Sequence, residues 1–289
     1  MIAVTGANGQ LGRLVLAHLA DITDQPIRAL VRTPAKAKEL ESDRISVVRA
    51  DYNDPTSLPD ALNGVSRLLL ISGAEVGNRT AQHAAVLSAA KDAGVSFIVY
   101  TSLLNTPASS LVLAEEHKDT ERLLTESGIE HVILRNGWYL ENFEGKIAAA
   151  LEHGAVVGAS GEGMFSAAAR NDYAEAAARV LAGEDLSTRI LELGGQPGFS
   201  LAALAAELSG QAGRTIPYQN LGEQDYAGVL KTAGLPEGFA KALADADRGA
   251  AEGELFNPST QLEDLLNRKT KPLAEFIAET LAELKSSAA

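Results

Sequence analysis

Apolar and polar positions alternate in two rhythms over the first half of the chain. Short β-branched or leucine-rich runs at Ile2–Thr5, Ile27–Val31, Ile45–Val48, Arg67–Ile71, Val95–Thr101 and His131–Leu134 predict strands. Segments of helical period separate them: a stripe of Leu11, Leu14, Val15 and Leu19, then Ala35–Leu40, Ser57–Leu62, Thr80–Ala93 and Leu113–Ser127. Gly94 and Gly128 close the last two. Strands alternating with helices predict an α/β fold with a Rossmann-type doubly wound parallel sheet. Right-handed crossovers give the strand order 3-2-1-4-5-6, with ligands beyond the carboxyl ends of the strands.

The rhythm changes after about Leu140. Glu141–His153 reads as helical, Ala155–Gly163 is punctuated by glycine, and Asn171–Ala182 is a helix capped by Asn or Asp. Ile190–Leu193 is a strand placed to rejoin the sheet, and from Ser200 onward the pattern is mostly helical and rich in alanine. The expected division is a dinucleotide-binding Rossmann domain over 1–154, with 171–195 rejoining it. A smaller, mostly helical C-terminal substrate lobe over 155–289 closes over the cofactor.

Composition narrows the class. The 289 residues are 46% hydrophobic but only 5% aromatic, which allows a sizeable core of Ala, Val, Leu and Ile. A net charge of −13 argues against a nucleic-acid partner, which would require clustered Lys and Arg. No cysteine is present, which removes disulfides, thiolate metal sites and a cysteine nucleophile. No basic segment leading into an apolar stretch opens the chain, and no apolar run approaches the roughly 18 residues that span a bilayer. A cytoplasmic protein without membrane contact is expected. The histidines show no metal-ligand spacing, so no metal is expected.

The first candidate site lies where the first strand turns into the first helix. Gly6, Gly9 and Gly12 fall at three-residue spacing. With Asn8, Gln10 and Leu11 they form a cradle in which backbone N–H groups and the helix dipole meet a phosphate. The second strand then ends on Arg32, with Lys36 about a helical turn further. NAD-preferring sites place a carboxylate there for the ribose 2′-hydroxyl. A guanidinium grips a 2′-phosphate instead, so NADP(H) is the expected cofactor. An ordinary solvated arginine is the competing reading.

Asp51 and Tyr52 end the third strand, where they either meet the adenine or, for Asp51, cap the turn before Pro55. Ser72, Gly73 and Ala74 follow the fourth strand, and Thr101 and Ser102 end the fifth, beside the expected nicotinamide. The six tyrosines are followed four residues on by Thr56, Leu104, Phe143, Ala177, Gly222 and Leu230, never by the lysine of a Tyr–Lys acid pair. A ketone reductase needs that proton donor. A quinone or a cationic acceptor does not, because hydride addition gives a stabilised anion or a neutral product.

At these positions the chain resembles the NmrA-like, atypical short-chain dehydrogenase/reductases. The likeness rests on Thr5–Gly12, Val31–Lys36, Ala50–Tyr52, Thr101–Leu104 and Leu134–Tyr139, and extends through Glu116-His117, Leu151–Gly154 and Tyr218–Leu221. It is strongest to the quinone oxidoreductase type 2 branch, with the triphenylmethane dye reductases as near relatives. The resemblance implies NADPH bound without flavin and a quinone site over the nicotinamide. It further implies that Asn136, Gly137, Trp138 and Tyr139 line the nicotinamide and substrate pocket, with Asn142 and Phe143 nearby. Glu141 is a further cofactor-binding candidate, and Arg170, before the Asn171-Asp172 cap, either reaches the cofactor or is an ordinary surface arginine. Related ether reductases carry a catalytic lysine where this chain has His117, which either relays a proton or is structural. Asn136 and Tyr139 are the other candidate catalytic residues. The expected activity is NAD(P)H-dependent quinone reduction by direct hydride transfer, in a possible homodimer. The alternatives are reduction of another electron-poor acceptor such as a dye, or NADP sensing without turnover.

Overall fold

A seven-stranded sheet organises the chain in the computed structural model, which describes residues 1–183, 185 and 187–287. β1 (Ile2–Val4) lies between β2 (Ile27–Val31) and β4 (Arg67–Leu70), and β3 (Ile45–Arg49) flanks β2. β5 (Phe97–Leu103) and β6 (Glu130–Asn136) follow β4. This is the expected order 3-2-1-4-5-6, parallel from β3 through β6. β7 (Val156–Gly158) and β8 (Met164–Phe165) lie outside this sheet, and β9 (Arg189–Leu193) rejoins it at the β6 edge, as the apolar run at 190–193 predicts.

All residues of β1 and β5 are buried, which requires cover on both sheet faces. On one face Leu68, Leu70, Ile98 and Tyr100 pack with Leu58 and Leu62, and with Val86, Leu87, Ala90 and Leu124. These partners come from α2 (Leu58–Leu62), α3 (Arg79–Asp92) and α4 (Val112–Ser127). Alternation along the strands sends Leu69, Phe97, Val99 and Leu134 to the other face, all fully buried. Two further helices, α1 (Gln10–Ile22) and α6 (Arg170–Ala182), are joined by a His18–Asn171 side-chain hydrogen bond of 2.9 Å. At the opposite end of α6, Arg67 donates to the carbonyls of Leu181 (3.1 Å) and Gly183 (2.7 Å), where the helix leaves acceptors unsatisfied.

The expected helix over Ala35–Leu40 is replaced by two 3-10 turns, Pro34–Lys36 and Lys38–Leu40. Ala37 breaks between them with φ −136° and ψ 15°, a conformation that a continuing helix cannot hold. Alanine and lysine favour a helix, but the turn of the backbone at Ala37 divides the stretch into two separate short turns.

The chain forms two compact units. One comprises Met1–Thr106, Ala114–Asn136 and Asn171–Leu191; the other comprises Pro107–Leu113, Gly137–Arg170 and Glu192–Ala289. The second holds α5 (Glu144–His153), α7 (Leu201–Ala212), α8 (Glu223–Thr232) and α9 (Glu237–Ala251). A buried ring cluster there sets Phe143 at 5.3 Å from both Phe165 and Phe199.

The β1–α1 junction depends on a missing side chain. A Cβ on Gly12 would sit 2.7 Å from the Ala7 Cα and press on the Gly6 carbonyl. Gly12→Ala is therefore expected to cost about 1–3 kcal/mol in denaturant unfolding. Gly210→Ala, in α7 with open space around the new methyl, is expected to stabilise by up to about 1 kcal/mol.

Candidate functional site

The glycine turn is built to receive an anion. Gly6 adopts φ +57°, a left-handed conformation open to glycine, and Gly9 N–H donates to the Gly6 carbonyl at 2.9 Å. Gly9 is the N-cap of α1 and supplies no side-chain acceptor, so the first-turn N–H groups have no cap. Asn8 is held by Arg13, which donates through Nε to its carbonyl at 3.1 Å and through Nη2 to its Oδ1. A Cβ on Gly9 would crowd the Gly6 carbonyl at 3.1 Å. An uncapped helix start, reached by backbone alone, fits a pyrophosphate. Gln10 is exposed beside it, and Leu11 is buried as the first apolar anchor of α1.

Arg32 projects from the end of β2, with its side chain 71% exposed and Nη1 3.3 Å from Glu75 Oε1. Lys36 is also exposed. Glu75 gathers the neighbouring polar groups, accepting from Asn53 Nδ2 at 3.2 Å and Gln82 Nε2 at 3.0 Å. Asp51 Oδ1 accepts from Asn53 N–H at 3.0 Å, in the turn before Pro55. Tyr52 donates its hydroxyl to the Ile71 carbonyl at 3.0 Å, and burial holds the phenol above its ordinary pKa.

The segment after β4 is fixed from below. Ser72 N–H donates to Thr101 Oγ1 at 2.9 Å, and Gly73 N–H donates to His83 Nε2 at 3.0 Å. Ala74 stays exposed. Thr101 thereby supports the loop from inside the fold. Ser102 donates to Glu121 Oε1 at 2.6 Å, and Glu121 receives Arg135 Nε at 3.0 Å and Nη2 at 2.6 Å. Asn136 ends β6 only 3% exposed, and its Oδ1 has no hydrogen-bond partner among the described residues. A buried orphan acceptor costs about 1–3 kcal/mol unless a ligand satisfies it. An orphan amide at the carboxyl end of the sheet fits a cofactor amide.

His117 is buried in α4, with Nδ1 2.7 Å from the Tyr100 hydroxyl. Burial, the Arg79 guanidinium and His83 together push its pKa down to about 3. The ring is therefore neutral near pH 7 and has no imidazolium proton to give. His83, also pushed to about 3 by burial and Arg79, shares a 2.9 Å hydrogen bond between its Nδ1 and Thr120.

The remaining candidates belong to the second unit. Trp138–Leu140 is anchored to Ala168 through Ala168 N–H to the Trp138 carbonyl (3.1 Å) and Leu140 N–H to the Ala168 carbonyl (3.0 Å). Gly137 N–H donates to the Leu193 carbonyl at 2.8 Å. Glu141 takes the Arg170 N–H on both oxygens at 2.9 and 3.0 Å, and the Arg170 guanidinium lies 5.2 Å above the Tyr139 ring. Trp138, Glu141 and Asn142 line a cavity of about 1180 Å³ walled by α5, α8 and α9. The first unit thus gathers Gly6–Gly12, Arg32, Ser72–Ala74 and Asn136, and the second gathers Trp138–Asn142 with Arg170.

Sequence reasoning missed Glu75, the Glu121–Arg135 pair, and Lys146 with Asp247 and Tyr226 inside the cavity. A lone lysine in an alanine-rich helix and an aspartate about a hundred residues later give no spacing signal.

Residues 6–184 match the NAD(P)H-binding family. The chain is 50% identical over 279 residues to quinone oxidoreductase 2 of Escherichia coli K12, covering 96% of this chain and 98% of that one. A crystal structure of NADPH-dependent quinone oxidoreductase 2 from Escherichia coli, complexed with NADPH, superposes with a TM-score of 0.95 at 49% identity. It covers 97% of this chain and all (100%) of its own. Triphenylmethane reductase of Citrobacter sp., complexed with NADP(H), gives a TM-score of 0.92 at 36% identity, with 97% of this chain and 100% of that one covered. The chain belongs to the NAD(P)H-binding family and has the NmrA-like Rossmann fold shared by quinone oxidoreductase 2 and triphenylmethane reductase.

Proposed function

We propose that the protein is an NADPH-dependent quinone oxidoreductase that works without flavin. The observation that carries this reading is 49% identity, over 97% of the chain, to an NADPH-complexed quinone oxidoreductase. The residues agree with it. Gly6, Gly9 and Gly12 with Gln10 and Leu11 hold the pyrophosphate, Arg32 and Lys36 face the 2′-phosphate, and the Asn136 amide meets the nicotinamide amide. NADPH, when bound, supplies the hydride.

Arg32 is free to change partners. Its exposed contact with Glu75 is worth at most about 1 kcal/mol, whereas a guanidinium–phosphate pair is a charge-assisted, bidentate contact. Glu75 draws the guanidinium towards Asn53 and Gln82 until phosphate takes it. The first unit carries the dinucleotide, and the cavity of the second receives the acceptor. Trp138 lines that cavity and offers an indole ring to a planar acceptor. With His117 neutral and no tyrosine followed four residues on by a lysine, binding and orientation supply much of the rate. Triphenylmethane dyes are a second acceptor class, favoured by the 36% identity to the Citrobacter reductase over 97% of the chain. Soluble placement accords with the absence, among the described residues, of any helix long and apolar enough to cross a membrane. Self-association as a homodimer belongs to the same reading and is checked by sedimentation.

Purified protein is expected to oxidise NADPH steadily when 1,4-naphthoquinone is added without flavin. Tight NADPH binding with no turnover on quinones or dyes would leave only a sensing role. Arg32→Ala is expected to lower NADPH affinity by about 10–100-fold while leaving NADH affinity unchanged, and an unchanged ratio would contradict the 2′-phosphate assignment. His117→Gln is expected to leave the pH profile of kcat between pH 5 and 8 unaltered in shape, because the native ring already stays uncharged there. Loss of a limb near pH 6.5 would contradict this.

A further inference from the structure

We propose that Lys146 is the oxyanion-binding group of the acceptor cavity: its ammonium holds the ring oxygen that becomes anionic on two-electron reduction, and Asp247 fixes its position. The proposal rests on the quinone-reductase reading above. Lys146 lies in the first turn of α5 with its side chain 11% exposed, and Nζ is 3.0 Å from Asp247 Oδ2 in α9, whose side chain is 8% exposed. The same Asp247 oxygen accepts from Ala159 N–H at 2.9 Å, which ties the carboxylate to the backbone. On a second side Nζ lies 4.7 Å from the centroid of the Tyr226 ring in α8. Three helices and one strand end therefore hold the ammonium in place.

The surroundings leave no slack. A Cβ at Gly158 would come within 2.9 Å of Lys146 Nζ and 2.6 Å of Asp247 Oδ2, so the position admits no side chain. Lys146, Asp247 and Tyr226 all line the cavity, beside apolar groups such as Val157 and Leu243. The other basic side chain on that wall, His153, is 70% exposed. Burial pulls the lysine below its ordinary pKa while Asp247 pulls it back up.

A buried ion pair is a poor source of stability, because desolvation offsets most of its attraction. A pair that also opens onto a large cavity has a better use. An ammonium has three N–H donors, of which Asp247 takes one and the Tyr226 face engages a second. The third is available to a ligand oxygen. The quinone takes up two electrons and one hydrogen as hydride from the reduced nicotinamide, which leaves one ring oxygen anionic. Lys146 stabilises that oxygen by a charge-assisted hydrogen bond and keeps its own proton. One proton from water then completes the hydroquinone.

Trp138 is the single tryptophan and lines the same cavity, so its fluorescence reports binding there. The probes are 1,4-naphthoquinone, which is neutral, and 2-hydroxy-1,4-naphthoquinone, which is an anion at neutral pH. The native protein is expected to bind the anion about 10–100-fold more tightly than the neutral quinone. Lys146→Met should abolish that preference and lower kcat by about 100-fold, with KM for NADPH unchanged. Lys146→Arg should retain part of both. Should Lys146→Met fail to fold around an unpaired Asp247, Lys146→Met/Asp247→Asn removes both charges and is read in the same way. A folded variant without Lys146 that keeps the anion preference and the rate overturns the proposal. An anion preference that depends on Lys146, in a native protein that oxidises NADPH with no quinone, supports the anion site and overturns the reductase reading instead.

Discussion

The close approach of α1 to the turn after β1 is the constraint on which the rest depends. With hydrogen in place of a side chain, Gly12 lets the helix seat against Ala7 and the Gly6 carbonyl. That contact sets the direction of α1, and with it the direction of the uncapped N–H groups at Gln10–Gly12. β1 lies between β2 and β4, so the same turn opens at the switch point where the strand order reverses. Arg32 ends one neighbouring strand, and the Ser72–Ala74 segment follows the other. The open, uncapped helix start at this turn is thus a consequence of sheet order and one missing methyl group.

Beneath the strand ends, buried polar side chains stiffen the loops without reaching out of them. Thr101 holds Ser72, His83 holds Gly73, and the Glu121–Arg135 pair is completed by Ser102. Two buried histidines are held neutral by desolvation and by the Arg79 charge, so they act here as fixed hydrogen-bonding groups. Such networks restrict the backbone because each member would lose a partner if the loop moved. Asn136 Oδ1, at the end of β6, is among the few buried polar atoms left without a hydrogen-bond partner among the described residues.

Much of this was legible in the sequence because it is local. Glycines at 6, 9 and 12, strand-length apolar runs and helix-closing glycines are encoded within a few residues, and they give the sheet order and the phosphate cradle. The 34–40 stretch misled because alanine and lysine report intrinsic helix preference, while Pro34 and the short connection impose separate 3-10 turns. His117 was identifiable as a candidate, but its neutrality depends on burial and on Arg79, neither of which its sequence neighbours announce. Lys146, Asp247 and Tyr226 come from three helices far apart in the chain, so only the folded second unit shows them as one group. Glu75 was missed for the same reason, since Arg32 lies two strands earlier.

The central claim is direct transfer of hydride from NADPH to a quinone without an intervening flavin. Single-turnover oxidation of NADPH deuterated at both C4 positions, mixed anaerobically with 1,4-naphthoquinone and flavin-free protein, tests it most directly. The account predicts a fast single turnover slowed several-fold by deuterium. Equal rates with the two isotopes, or no turnover until flavin is added, would contradict it.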